Sequence, residues 1–359
     1  MRIFYAAQST TNEIDLPDSR LWYVNLFMPL RDLGHELVEF NHSWLPRGYA
    51  VDLKNPVDAA DIAEHRPRFS EALLAKITQV HRENPLDLLF TYFTAAHVEP
   101  ETIQRVRAMG ILTMNWYCNA SYQFHNVAPI APAFDFCLVP ERYRMKDYRA
   151  VGANPVFCQE AANPNIYKPC SVPCDYDVTF VGQRYGNRPH YVAELIRQGL
   201  DVRVWGPGWK GDSRSMIRRW AAALMGKPII PTNRCGGILS DQELIEMYSR
   251  SRASLGFTTV AGPTSDEGPL KQVRLRDFEA TMSGAFYVVE YFDELAECFE
   301  EDKEVIFFRE PNELVDKLRF YLSHPSVRER IRAAGMNRAR AEHTWHQRFE
   351  KLFRDLGLG

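Results

Sequence analysis

The stretch that decides the fold is Tyr176-Asp177-Val178-Thr179-Phe180-Val181-Gly182-Gln183-Arg184-Tyr185-Gly186-Asn187-Arg188-Pro189. Val178–Val181 reads as a buried strand, and Arg188–Gly199 reads as a helix that Pro189 helps to start. Between them a glycine-bearing loop runs from the carboxyl end of the strand into a helix N-terminus. Gly182 and Gly186 allow close backbone approach, and the free N–H groups favour an anion. Arg184 and Arg188 add forked donors that suit phosphate oxygens. A glycine-rich turn with solvated arginines explains the same residues. The loop is not Gly-x-Gly-x-x-Gly, and the chain holds no Gly-Lys-Ser/Thr phosphate loop. The loop after the first strand, Ala6–Asn12, has no glycine, which argues against a dinucleotide there.

Downstream the rhythm continues: strand Val202–Trp205, helix Asp241–Arg252, strand Ser254–Phe257, helix Leu275–Ser283, strands Phe286–Val289 and Val305–Phe308, helix Asn312–Ser323. Upstream, strands are predicted at Ile3–Ala6, Leu37–Phe40, Leu86–Phe93, Ile111–Trp116 and Phe136–Val139, with helices such as Ser19–Leu33 and Pro100–Met109 between them. Strands alternating with helices imply parallel sheets. Ala161–Asp175, with Pro164, Pro169 and Pro173, reads as an extended linker. The expectation is an α/β protein of two tandem Rossmann-like, doubly wound domains facing a cleft. Domains are expected at 1–170 and 171–340, with a C-terminal helix over 341–359 packing back on the first.

Composition narrows the class. The 359 residues are 45% hydrophobic and 25% charged, with a net charge of −3, so neither disorder nor a coiled coil fits. The first 170 residues carry −3 and the rest 0, without the basic excess that a nucleic-acid partner would require. The 7 cysteines are scattered, and only Cys170 and Cys174 are close, which favours free thiols over zinc or a disulfide. No signal peptide and no run of about 20 apolar residues stands out, so a cytoplasmic location is expected.

Two further stretches carry chemistry. In Lys271-Gln272-Val273-Arg274-Leu275-Arg276-Asp277-Phe278-Glu279, residues Leu275, Phe278 and Met282 form a helical stripe with Glu279 near it. A carboxylate so placed needs hydrogen bonds, from sugar hydroxyls or from a structural partner such as Arg276. Val204-Trp205-Gly206-Pro207-Gly208-Trp209 is a strand entering a tight turn, where Gly206 either approaches a base or merely turns the chain.

Together these residues resemble nucleotide-sugar glycosyltransferases of the GT-B fold, in the group-1 branch that includes spore-maturation-protein-like sequences. The likeness is carried by Tyr176–Gly182, Asn187-Arg188, Ser240-Asp241-Gln242-Glu243-Leu244 with Tyr248, Arg276–Ala280, and His343-Thr344-Trp345 with Arg348. Gly34-His35-Glu36-Leu37 and Ala162-Asn163-Pro164 also fit. The resemblance is specific over about 160–350 and diffuse before it.

It implies transfer of a sugar from a nucleoside diphosphate sugar to an unidentified sugar, glycan or small-molecule acceptor, with retention. No metal and no cofactor beyond that co-substrate are implied. Glu279 matches the glutamate that holds the ribose hydroxyls, and Arg184 and Arg188 match positions that neutralise the diphosphate. Gly236-Gly237-Ile238 matches the loop that reads the base; Gly182, Gly206 and Arg276 join the donor set. Lys271 stands where retaining relatives usually have a second glutamate. It could join the diphosphate clamp but cannot accept hydroxyl hydrogen bonds; Glu267 could stand in from the adjacent loop.

In the first domain His97 is expected near the donor sugar, with a helix-entry role as its alternative, while Glu13, Asp15 and Asp18 are available as bases. Asn115–Asn119 with Tyr122 and Phe124 offers an aromatic acceptor surface or a core. Asp175-Tyr176-Asp177 is read as an incidental Asp-x-Asp. Ser213–Met225 is a lid or packing helix, or a weak membrane-surface contact. A nucleotide-sugar 2-epimerase and a non-catalytic nucleotide-sugar-binding or coat-assembly protein remain open.

Overall fold

The computed structural model describes residues 1–7, 20–40, 52–210, 228–265 and 268–358, with side chains of 261–265 outside the description. The chain forms two compact units: Met1–Glu160 with Trp345–Gly359, and Ala161–Thr344.

The first unit holds β1 (Arg2–Ala6), β2 (Glu36–Glu39), β3 (Leu88–Thr91), β4 (Leu112–Trp116), β5 (Phe136–Val139) and β6 (Pro155–Phe157). They make one six-stranded sheet in the order β2-β1-β3-β4-β5-β6, every pair parallel. Burial on both faces explains why β3 reads as an unbroken apolar run: Leu88, Leu89, Phe90 and Thr91 are all inaccessible. The helix Trp345–Asp355 docks here. Trp345 meets Trp116 edge-on at 5.1 Å, Phe349 meets Phe90 at 5.8 Å, and Phe353 meets His35 at 5.2 Å.

The second unit holds β7 (Tyr176–Val181), β8 (Val202–Trp205), β9 (Ser251–Gly256), β12 (Tyr287–Glu290) and β13 (Ile306–Phe308), with β10 (Thr259–Ser265) and β11 (Gly268–Lys271) between. Five strands form a parallel sheet, β13-β12-β9-β7-β8, while β10 and β11 pair as an antiparallel ribbon. The helix Arg188–Arg197 starts at Asn187 with Pro189 in its first turn. The helix Asp241–Ser249 starts on a reciprocal cap, in which Ser240 Oγ accepts from the Glu243 N–H and Glu243 returns a bond to the Ser240 N–H at 2.8 Å.

The expected strands are present within a few residues. The β10–β11 ribbon, β6 and the 28-residue helix Pro56–Glu83 are additional. Ala161–Asp175 is more than a linker: Ala161, Ala162, Asn163 and Tyr167 are buried, and Ala162 N–H donates to His343 O at 3.2 Å.

Candidate functional site

In the second unit the chain leaves β7 for β8 on one side and later returns to β9 on the other. The carboxyl ends of β7 and β9 are therefore the topological switch point, where an open parallel sheet leaves a crevice for a ligand. The loop after β7 is the glycine–arginine segment singled out above.

Gly182 is required by close approach. A Cβ there would lie 2.7 Å from Phe180 Cζ and 2.9 Å from Arg276 Nη1, so its lack of side chain lets the Arg276 guanidinium lie on the loop. Gly206 has φ +123° and abuts Gly182 O, 2.6 Å from where its own Cβ would be. Three loops are then stitched together: Gly182 N–H donates to Trp205 O at 2.8 Å, Gly206 N–H to Gly237 O at 2.9 Å, and Arg184 N–H to Pro207 O at 2.9 Å. Trp209 Nε1 donates to Gly182 O at 2.5 Å. Gly182, Gly206 and Gly237 are thus brought together at the ends of β7 and β8. Next to Gly237, Ile238 is 42% exposed, an apolar face available to a planar group. Arg184 is exposed, with its guanidinium 5.9 Å from the Trp209 ring centre.

Arg188, by contrast, is only 4% exposed. Its Nη1 donates to Gln183 O at 2.9 Å, its Nη2 to Tyr185 Oη at 2.7 Å, and the guanidinium lies 3.8 Å from the Tyr185 ring centre. Burial first, then Arg274 and Arg276, pull its pKa down to about 9. Arg274 is held by Phe257 O and Thr259 O at 3.0 and 3.1 Å, just past β9. Three guanidiniums therefore converge on the switch point. Burial also opposes the charge of Arg276, but Tyr248, Glu279 and Tyr287 outweigh it and hold its pKa above the usual value.

Glu279 sits on the helix Leu275–Met282 at 3% exposure. Burial raises its pKa to about 7, against the opposing pull of Arg276 and of a hydrogen bond from Tyr167. Its Oε1 is buried with no hydrogen-bond partner. An unsatisfied carboxylate oxygen is costly, and two hydroxyls of a diol are one group that would satisfy it. Asp277, two residues earlier, is structural: it accepts from the Arg274 N–H at 2.8 Å and from Tyr287 Oη at 2.7 Å.

Lys271, at the end of β11, donates to Tyr291 O at 2.6 Å and stands 3.5 Å from Glu290 Oε1. Glu290 also accepts from Thr259 Oγ1 at 2.6 Å and from the Thr259 N–H at 2.9 Å. Asp175 and Asp177 lie at the opposite, amino end of β7, ion-paired to Arg250 and Arg252.

His97 belongs to the first unit, in the loop after β3 at that sheet's own switch point between β1 and β3. The Thr94 N–H donates to its Nδ1 at 3.0 Å, which places the ring proton on Nε2. Burial lowers its pKa to about 4, so the ring is neutral and a hydrogen-bond donor at neutral pH. Of the two readings of Asn115–Asn119, acceptor surface or core, burial of Trp116, Tyr117 and Cys118 supports the core. Asn115 closes the loop after β3, accepting from the Phe93 N–H at 2.7 Å. None of the seven cysteines is in a disulfide. Glu13, Asp15, Asp18, Glu267 and Ser213–Met225 lie outside the described residues.

Sequence reasoning missed Tyr167, Arg274 and Glu290. Tyr167 was hidden by the proline-rich look of its segment. Arg274 and Glu290 gain meaning only once β9, β11 and β12 are aligned.

Residues 188–354 match a family model described as glycosyl transferase-like. No curated protein matches the chain. Among solved structures, the sucrose-phosphate synthase (tll1590) from Thermosynechococcus elongatus is 13% identical with a TM-score of 0.67, covering 99% of each chain. Alr3699/HepE of Anabaena, solved in complex with UDP-glucose, is 12% identical with a TM-score of 0.59, over 99% of this chain and 98% of that one. AviGT4, a glycosyltransferase involved in avilamycin A biosynthesis, is 14% identical with a TM-score of 0.54, over 99% and 98%. At these identities the likeness speaks for the fold.

Proposed function

We propose that this chain, a glycosyltransferase of the GT-B fold, takes its sugar from a nucleoside diphosphate sugar bound by the second unit, with the first unit as the acceptor half. The observation that carries the reading is the pairing at one switch point of a three-arginine cluster with a buried carboxylate whose Oε1 lacks a hydrogen bond. Arg188, Arg274 and Arg276 would stabilise the charge of the departing diphosphate. Glu279 would hold the ribose diol, while Gly182 and Gly206 let the backbone approach and Gly237-Ile238 faces the base. Arg184, on the exposed side of the same loop, adds a second phosphate contact.

Lys271 is proposed to act in turnover, fixed by Glu290 and Tyr291 O beside the Arg274 anchor at Thr259. His97 is proposed as a hydrogen-bond donor to the sugar through Nε2–H, not as a base. Retention of configuration is proposed, an outcome that does not call for a carboxylate base beside the acceptor hydroxyl. The reaction is proposed to need no metal or added cofactor, because the arginines supply the positive charge, and to run in the cytoplasm. Among the described residues no helix is long and apolar enough to cross a membrane. Membership of the spore-maturation-protein-like branch is part of the same proposal.

The test is to incubate the protein with UDP-, ADP-, GDP- and dTDP-glucose, with and without a panel of sugar acceptors, and follow products by mass spectrometry. Free nucleoside diphosphate with a glycosylated acceptor supports the reading. Isomerised donor sugar without acceptor would favour an epimerase, and binding without turnover a silent protein.

A further inference from the structure

The Ala162-Asn163-Pro164 segment resembled the family without acquiring a task, and the structure gives it one. Ala162 bridges to Thr344, and its N–H is held by His343 O. Asn163 is inaccessible to solvent; its carbonyl accepts from the Ile166 and Tyr167 N–H groups at 3.1 and 3.0 Å, and its Oδ1 from the Asn165 N–H at 2.9 Å. The segment is thereby wound into a single turn that delivers Tyr167, 4% exposed, into the cluster of Ile245, Tyr248, Phe278 and Met282. There its hydroxyl donates to Glu279, the residue whose Oε1 has no partner.

We infer that Tyr167 is a positioning residue for the nucleotide site: by binding Glu279 it fixes the carboxylate, leaving Oε1 as the acceptor for a ribose diol. This rests on the donor-site reading above. The physical argument is one of donor counting. A carboxylate has two oxygens and about four lone-pair sites. Rotation about the last side-chain bond is broad, so a carboxylate held by nothing would reach the bound arrangement only part of the time. A phenol donor on one side fixes the rotamer before the ligand arrives, which lowers the cost of ordering it on binding.

The same bond favours the ionised form, against the burial that opposes it. Four further groups face the carboxylate: Arg276 and Asp277 on its own helix, Asp241 from the helix Asp241–Ser249, and Tyr248 through Arg276. The ionised form accepts from the two hydroxyls about twice as strongly as the neutral acid, so nucleotide affinity should rise with pH through about 7 and then level off.

The experiment is calorimetric titration at pH 6.0 to 8.5 with the glucose form, of the UDP, ADP, GDP and dTDP set, that binds the wild type most tightly. The bridged diphosphate of these donors does not itself titrate in that range. Tyr167→Phe keeps the ring and so the packing. It is expected to weaken binding about tenfold at pH 7 and to move the rise in affinity to higher pH, so that the gap narrows by pH 8.5. A gap that is the same at every pH would assign Tyr167 to packing alone and overturn the inference. Wild-type affinity in Tyr167→Phe throughout would overturn it too. Glu279→Ala separates the two levels: if that variant also binds like wild type, or if none of the four donors binds, the donor-site reading has failed as well. If Glu279→Ala binds poorly while Tyr167→Phe binds normally, only the role of Tyr167 is lost.

Discussion

Replacing Arg188 with methionine should stabilise the second unit and disable it for diphosphates. Arg188 is 4% exposed, and burial together with Arg274 and Arg276 pulls its pKa down to about 9. A depression of that size corresponds to unfavourable charge burial on the order of 4 kcal/mol. Opposing it are hydrogen bonds to Gln183 O at 2.9 Å and Tyr185 Oη at 2.7 Å and the Tyr185 ring at 3.8 Å, together about 2 kcal/mol. Methionine fills the stem's volume without the charge, so the balance is a gain of about 1–2 kcal/mol. For a unit of this size that is a rise in Tm of about 2–8 °C. Differential scanning calorimetry of the ligand-free protein reads it directly. In the wild type, nucleoside diphosphate should raise Tm more than the nucleoside does, and in Arg188→Met the two should act alike. A lower Tm in the variant, with the preference for diphosphate intact, would refute the reasoning and make Arg188 a structural tie of its loop.

Other consequences are open to measurement. Gly182→Ala should displace the Arg276 guanidinium and the Phe180 ring, destabilising the second unit by about 1–3 kcal/mol in calorimetric unfolding and lowering nucleotide affinity with it. Glu279 has its pKa raised to about 7, so the folded state binds the extra proton and stability falls as pH rises from about 4.5 to 7; Glu279→Gln should flatten that part of the Tm-against-pH curve. His97 is neutral above about pH 4, so His97→Ala should lower turnover without moving any pH break between 5 and 8. Trp345→Ala should destabilise the first unit by about 3–5 kcal/mol, seen as a lower Tm and faster proteolysis, because its ring is fully buried against Trp116.

What the sequence made legible was whatever has a local period. Buried parallel strands such as Phe136–Val139 and Val202–Trp205 announce themselves as short apolar runs between glycines and helices, and they were found at their observed bounds. The loop after β7 could be read because strand, glycine, arginine and helix start follow one another in fifteen residues or so. The β10–β11 ribbon could not, because an antiparallel excursion rich in Thr, Gly and Pro has no apolar period. The long helix Pro56–Glu83 was masked by Pro67 within it.

Side-chain roles divided the same way. The burial of Glu279 followed from its place beside the stripe of Leu275 and Phe278, whereas its partner Tyr167 comes from a segment whose prolines read as extended chain. The aromatic run Trp116-Tyr117-Cys118 reads equally as a sugar-stacking surface or as core, because composition alone does not say which side of a strand end faces solvent; the run extends a central strand and is core.

The central claim is that the switch point of the second unit binds a nucleoside diphosphate sugar through Glu279. Titration of the wild type and of Glu279→Ala with UDP-, ADP-, GDP- and dTDP-glucose, without metal, tests it most directly. The account predicts micromolar binding of one of them, weakened by about 1.5–3 kcal/mol in the variant. Equal affinity in a folded Glu279→Ala, or no binding across the set, would contradict it.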